Sequence, residues 1–347
     1  MNVKIRKPIR VAIVGASGYT GEELIRISCR HPSIEITALG SRQLAGKRLG
    51  QIIPGIGSKH SHLCFENLSL DQLAARADVF FLALPHGVAS EYAVFLIEQG
   101  KTVFDLSADF RLRDPFIYAR YYQKEHPAPH LLKQAVYGLV EIYRRELASA
   151  QLIACPGCYP TSILLPCIPL YREKRIAHEG LVIFSISGYS GAGKRASEVF
   201  SFAECNESVH AYNIPTHRHL GEIEQELTQA AGVEVRASFT PHMAPMNRGL
   251  HTTISIPFMG HSIEEVTEIY KTYYAKSPFV QIMCGSDMIR TRSLIGTNLV
   301  QIAYKLDAHT QRLLIISALD NLQKGASGQA IQAFNVRFQL EETEGLV

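Results

Sequence analysis

The run Ile9-Arg10-Val11-Ala12-Ile13-Val14 enters Gly15-Ala16-Ser17-Gly18-Tyr19-Thr20-Gly21, and Glu22-Glu23-Leu24-Ile25-Arg26-Ile27 follows. An apolar strand, a glycine-rich turn and an amphipathic helix in that order open a doubly wound α/β domain. In such a domain the helix N-terminus faces a dinucleotide pyrophosphate. The spacing is G-x-x-G-x-x-G rather than G-x-G-x-x-G, so its weight comes from its place at the first strand. Gly15, Ser17, Gly18, Tyr19, Thr20 and Gly21 are the candidate pyrophosphate contacts. A second strand, predicted over 34–39, leads to Gly40-Ser41-Arg42, with Lys47 and Arg48 beyond. An NAD-binding domain carries an acidic residue there for the ribose 2′-hydroxyl. A hydroxyl and cations suit a 2′-phosphate instead, so Ser41, Arg42 and Lys47 point to NADP(H). Strands predicted over 79–84 and 102–106 run into Pro85-His86-Gly87 and Ser107-Ala108-Asp109-Phe110-Arg111. The layout puts Pro85 and His86 on the nicotinamide side; His86 is equally suited to a structural role.

The next informative stretch is Ala154-Cys155-Pro156-Gly157-Cys158-Tyr159-Pro160-Thr161. Residues 152–154 read as a buried strand end, and 160–168 as a helix with proline in its first turn. A cysteine on such a turn meets backbone N–H groups and the positive end of a helix dipole, which favour thiolate over thiol. Cys158 is therefore a candidate nucleophile. Cys155 completes a C-x-x-C, but Cys29, Cys64, Cys167, Cys205 and Cys284 supply no second ligand pair at zinc spacing. Cys155 reads as an ordinary buried neighbour, and no metal is expected.

At 347 residues and 46% hydrophobic the chain can bury a large core in two domains. A net charge of +3 is too small to argue for nucleic acid or an acidic membrane. Lys4, Arg6, Lys7 and Arg10 precede an apolar run too short for a signal peptide or a membrane span. Seven cysteines, an odd number in a long chain, fit a reducing cytoplasm.

A thiolate and a nicotinamide together suggest redox chemistry at the acyl level. The sulfur displaces phosphate from an acyl phosphate, and hydride then reduces the thioester to an aldehyde. That chemistry needs an acid/base beside the sulfur and cations for phosphate. Pro215-Thr216-His217-Arg218-His219-Leu220-Gly221-Glu222 offers the first. With a helix over 220–229, His219 and Glu222 share a face, and His217 stands just before it. His251, in a strand-like run at 250–256, is the rival base. For phosphate the candidates are Arg111, Arg218 and Lys194-Arg195. The last pair follows a loop, Gly188-Tyr189-Ser190-Gly191-Ala192-Gly193, that can turn backbone N–H groups of Ser190 and Gly191 to phosphate or to the nicotinamide carboxamide.

The glycine turn, PHG, DLSADFR, PGCYPT, SGYSGAGK, AYN…HRH…EIEQE, TPH…PMNRG and DNL-KGASGQAIQ follow one another in an order that resembles the N-acetyl-γ-glutamyl-phosphate reductases of arginine biosynthesis. These enzymes are relatives of aspartate-semialdehyde dehydrogenase, and the resemblance runs from Val11 to Asn335. It implies an α/β subunit with a Rossmann-type NADP-binding domain (1–155 and 320–347). A catalytic α+β domain with a mixed sheet (156–319) would carry homodimer or homotetramer contacts. It implies that the last helix returns to the cofactor domain, with Asn321, Gly325 and Gln329 near the nicotinamide. Cys158 would be the nucleophile, His219 the acid/base with His217 next in line, and Arg111 a phosphate-binding arginine. Three positions depart from the family pattern: Val140 and Gly221 stand where proline is common, and Lys194 where arginine is. His251 has no regular counterpart. The implied partners are a small acyl phosphate and inorganic phosphate. The alternatives are the same chemistry on aspartyl or aminoadipyl phosphate, one methylene being worth only ~1–3 kcal/mol in a pocket, or a non-catalytic NADP(H)-binding protein.

Overall fold

The computed structural model describes residues 7–194, 198–283 and 289–347. The chain forms two compact units, one of Met1–Pro115, Glu125–Pro156 and Ala326–Val347, the other of Phe116–Lys124 and Gly157–Gly325. Relative to the sequence-based boundaries, 116–124 and 320–325 pack with the second unit. The local reason at the C-terminal crossing is visible in the hydrogen bonds. Asp320 accepts the Gly296 N–H at 2.8 Å, and Asn321 accepts that of Gly249 at 2.8 Å, which ties this stretch to second-unit loops.

In the first unit the strands are β1 (Ile9–Val14), β2 (Ile34–Gly40), β3 (Phe65–Glu66), β4 (Val79–Leu82), β5 (Thr102–Asp105), β6 (Val136–Tyr137) and β7 (Leu152–Ala154). Among the described residues they form one sheet of order β3-β2-β1-β4-β5-β7-β6. Every pairing is parallel. A parallel sheet needs cover on both faces, and the alternation along β1 provides apolar groups for each. Val11 and Ile13 join Phe81, Phe104, Leu24 and Phe334 in one core. Ala12 and Val14 join Phe80, Leu82, Val103 and Leu96 in the other.

The second unit holds β8 (Leu181–Gly188), β9 (His210–Ala211), β10 (Ala237–Ala244), β11 (Leu250–Pro257), β12 (Val280–Ile282), β13 (Val300–Asp307) and β14 (Arg312–Leu319). Their order is β12-β13-β14-β11-β8-β10-β9. The sheet is mixed: β8–β10 and β12–β13 are parallel and the other pairs antiparallel. The helix that starts at Cys158, Cys158–Arg172, packs on β11 and β14, with the His219–Ala231 and Ile263–Tyr274 helices beside it.

The cysteine helix runs to Arg172, past the expected end at 168, although Pro166 and Pro169 lie inside it. Each proline removes the N–H that would reach the carbonyl four residues back. Those carbonyls belong to Ser162 and Leu165, and hydroxyls from neighbouring elements replace the lost donors. Ser317 Oγ of β14 donates to Ser162 O at 2.5 Å, and Tyr274 OH donates to Leu165 O. The helix continues because its surroundings satisfy what its sequence leaves open.

Candidate active site

Cys158 is the first residue of its helix, and Gly157 caps it in extended backbone conformation. The turn is held from two sides. Gly157 O accepts both the N–H and the hydroxyl of Thr161 at 3.0 Å, and Gly157 N–H donates to Glu222 Oε1 at 2.9 Å. Glu222 is only 2% exposed. Beyond sharing a helix turn with His219, its carboxylate thus fixes the backbone that presents the thiol. A Cβ added at Gly325 would fall 2.7 Å from Cys158 Cβ, so only glycine fits against that side chain there.

Beneath the helix, Ser162 Oγ and Ser185 Oγ each lie 2.8 Å from Thr252 Oγ1, and all three side chains are buried. This hydroxyl set joins the cysteine helix to β8 and β11. It also decides the orientation of His251. Thr252 faces the cysteine helix, so its neighbour His251, paired with Ile186, lies on the opposite sheet face. His251 is not brought to the thiol helix.

His217 and His219 are brought together, with ring centroids 4.9 Å apart, and each packs edge-on against Tyr159. Their situations differ. His217 is 8% exposed within Tyr159, Tyr212 and Phe239, and its Nδ1 accepts the His219 N–H at 3.1 Å. Burial, then the Arg218 charge, lowers its imidazole to about 4. His217 is therefore neutral near pH 7, protonated on Nε2, and serves as a cap for the helix that begins at His219. His219 is the half-buried first residue of that helix.

Two phenols that sequence reasoning left unassigned complete the cluster. Tyr212 OH donates to Tyr159 OH at 3.1 Å, and Tyr159 OH donates to His242 O at 3.4 Å. Burial raises both phenols, and the charge of Cys158 raises both further, so they stay protonated beside the sulfur. Tyr159 adjoins Cys158 in the chain. Tyr212 comes from the residue after β9, and only the AYN block hinted at it.

Arg218 is exposed, its guanidinium 5.6 Å above the Tyr122 ring. In the Gly188–Gly193 loop, Asn321 Nδ2 donates to Ser190 Oγ at 2.9 Å, and a Cβ at Gly191 would meet Ser187 Oγ at 3.0 Å. Lys194 is exposed; Arg195 lies outside the described residues.

In the first unit, Gly15 takes a positive φ of 82°, and a Cβ there would sit 2.2 Å from Ala83 O. A Cβ at Gly21 would strike Gly15 O at 2.5 Å, whereas Gly18 has only one neighbour, at 3.9 Å. Gly18 also caps the Tyr19–Ser28 helix without a side-chain bond. Tight packing on two sides and open backbone on the third is a cradle that a pyrophosphate fits. Thr20 O is held by Ser327 Oγ at 2.9 Å, with Ser17 and Tyr19 half-buried in the same turn. Ser41 Oγ accepts the Leu44 N–H at 3.3 Å, and Arg42, Lys47 and Arg48 are exposed beyond it.

The ends of β4 and β5 interlock. Asp109 accepts the N–H groups of Gly87 at 2.8 Å and Ser90 at 3.1 Å, and His86 Nδ1 accepts that of Ala108 at 3.1 Å. His86 thereby has a structural function; Pro85 is exposed beside it. Arg111 donates to Cys155 O at 2.7 Å and Leu106 O at 3.0 Å, which clamps the ends of β7 and β5. Burial, then Asp109, lifts the Asp105 carboxyl to about 7. Burial also pushes up the thiol of Cys155. Among the described residues no group of three or more His, Cys, Asp or Glu side chains could hold a metal ion.

Residues 10–150 match the semialdehyde dehydrogenase NAD binding domain, and 158–321 the semialdehyde dehydrogenase dimerisation domain. The fold is that of aspartate semialdehyde dehydrogenase II from Vibrio cholerae, at a TM-score of 0.72 and 16% identity, covering 96% of this chain and 99% of that one. The Candida albicans aspartate semialdehyde dehydrogenase, solved with NADP, gives 0.67 at 16% identity, covering 95% and 98%. In sequence, an N-acetyl-gamma-glutamyl-phosphate reductase from Akkermansia muciniphila is 48% identical over 98% of this chain and 99% of its own length. One from Acetivibrio thermocellus is 41% identical over 97% of each chain. Similarity of this degree across nearly the whole length makes this chain a member of the N-acetyl-γ-glutamyl-phosphate reductase family.

Proposed function

We propose that the chain reduces N-acetyl-γ-glutamyl phosphate to N-acetyl-L-glutamate 5-semialdehyde with NADPH, releasing phosphate by way of a thioester on Cys158, in arginine biosynthesis. The observation that carries the reading is the arrangement around Cys158. The thiol stands at a helix N-terminus, Glu222 holds its turn, and His219 opens the neighbouring helix. Cys158 Sγ attacks the acyl carbon, and the phosphoryl oxygen leaves with the electron pair of the broken C–O bond. His219 takes the thiol proton as the C–S bond forms, and when the aldehyde carbonyl forms and the C–S bond breaks it returns a proton to the leaving sulfur. His217 keeps its Nδ1 on the His219 N–H, and in this reading it fixes the start of that helix while His219 moves the proton.

NADP(H), once bound, supplies the hydride that takes the thioester to the aldehyde level. Gly15, Ser17, Gly18, Tyr19, Thr20 and Gly21 would hold its pyrophosphate, and Ser41, Arg42 and Lys47 its 2′-phosphate. Pro85, His86, Ser190, Gly191 and Asn321 are assigned to the nicotinamide half. Arg111, Lys194 and Arg218 are the cations assigned to the substrate. Arg111 supports β5 and β7 as well.

The free thiols of Cys29, Cys64, Cys155, Cys167 and Cys205 suit the reducing cytoplasm assigned to the chain. No helix among the described residues is long and apolar enough to cross a membrane. We assign a homodimer or homotetramer built on the second unit.

The test is the reverse reaction. With NADP and phosphate, N-acetylglutamate semialdehyde should give the highest kcat/KM for NADPH formation among it, aspartate semialdehyde and aminoadipate semialdehyde. A preference for either rival would reassign the substrate, and no turnover with all three would leave only an NADP(H)-binding role.

A further inference from the structure

The segment 116–124 comes from the N-terminal half of the sequence, yet it packs with the second unit against the start of the histidine helix. The helix that carries it, Pro115–Tyr122, places two adjacent tyrosines there. Tyr121 lies on Gly221 so closely that a Cβ on the glycine would meet Tyr121 Cε2 at 2.6 Å. Tyr122 lies under Arg218, with the guanidinium carbon 5.6 Å from the ring centroid. Tyr122 also stacks on the buried Tyr118 at 4.6 Å and an interplanar angle of 18°, which fixes its plane. Among the described residues no carboxylate pairs with Arg218, although the chain is rich in exposed ion pairs such as Arg10–Asp78 and Arg236–Glu234.

An exposed arginine between two site histidines, without an acidic partner, leaves its N–H edge available to an anion. A ring beneath its face holds the guanidinium by cation–π attraction and restricts its rotamers without consuming those donors. The same guanidinium acts on the cluster: after burial, its charge adds to the lowering of His217, and it offsets part of the rise of Tyr212. We propose that Tyr122 is a positioning residue that stations Arg218, and that Arg218 binds an anionic pair of substrate oxygens, carboxylate or phosphoryl. The inference rests on the reductase reading and adds to it the origin of the arginine's position in a separate stretch of sequence. Gly221 belongs to the same device, since any larger residue there would force Tyr121, and with it Tyr122, to shift.

The experiment compares wild type with Arg218→Gln, Tyr122→Leu, Tyr122→Phe and the Arg218→Gln/Tyr122→Leu double variant. KM for N-acetylglutamate semialdehyde and for phosphate, and kcat, are measured in the NADP-reducing direction. Arg218→Gln should raise one of the two KM values more than about tenfold, since a charged bidentate contact is lost. A rise for the semialdehyde identifies the carboxylate, and a rise for phosphate the phosphoryl group. Tyr122→Leu should raise the same KM about threefold to tenfold with kcat changed less than about twofold, and Tyr122→Phe should restore it. The double variant should resemble Arg218→Gln alone. Unchanged KM values in Arg218→Gln, or full additivity in the double variant, would overturn the proposal. Arg218 is exposed, so its variant keeps the test valid even if Tyr122→Leu melts early. If wild type itself fails to oxidise any semialdehyde, the reductase reading fails, a result distinct from these.

Discussion

His217 and His219 lie two residues apart and have opposite surroundings. The neutral form of His217 is built into the fold by its aromatic cage and by the hydrogen bond to its Nδ1. Its imidazole is lowered from 6.5 to about 4, so between these values the unfolded chain binds a proton that the folded chain refuses. The associated stability is complete above about pH 6.5 and declines as pH falls toward 4. From pH 7 to pH 5, wild type should lose about 2 kcal/mol more unfolding free energy than His217→Asn, as read from urea midpoints. Equal losses would show that the buried imidazole is not the acid-sensitive group.

The cysteine helix shows how far an element can be read from its own residues. Its start was legible, because Gly157, Cys158 and Pro160 carry local signals that need no partner. Its length was not, because the donors that replace the proline N–H groups come from Ser317 and Tyr274, distant in sequence. Ser317→Ala would leave the buried Ser162 carbonyl without that donor. The chain should be destabilised by about 1–3 kcal/mol in chemical denaturation; an unchanged midpoint would mean that water takes over. The same limit applied to the site. The nucleophile and both histidines stood in short motifs. By contrast, the bond from Gly157 to Glu222, the fit of Gly325 against Cys158 and the stacking of Tyr122 under Arg218 arise only when remote segments meet.

At the scale of the molecule, the glycine turn and the parallel order of the first sheet follow from the pattern of the opening residues. The mixed sheet of the second unit has no comparably strong local signature. Its inner face is covered by the cysteine helix. On β8 the alternate residues Phe184 and Ile186 remain 49% and 38% exposed. Apolar side chains in a row on an open sheet face are suited to a second copy of the chain. Phe184→Glu with Ile186→Glu should lower the mass found by sedimentation equilibrium toward 38.6 kDa. A mass that does not change would place the interface elsewhere.

The central claim is that Cys158 carries the acyl group. Mixing the enzyme with N-acetylglutamate semialdehyde and NADP, without phosphate, and quenching in acid should trap an N-acetylglutamyl adduct on the Cys158 peptide in mass spectrometry. Cys158→Ser should show none while still binding NADP. An adduct on another residue, or full turnover by Cys158→Ser, would contradict the account.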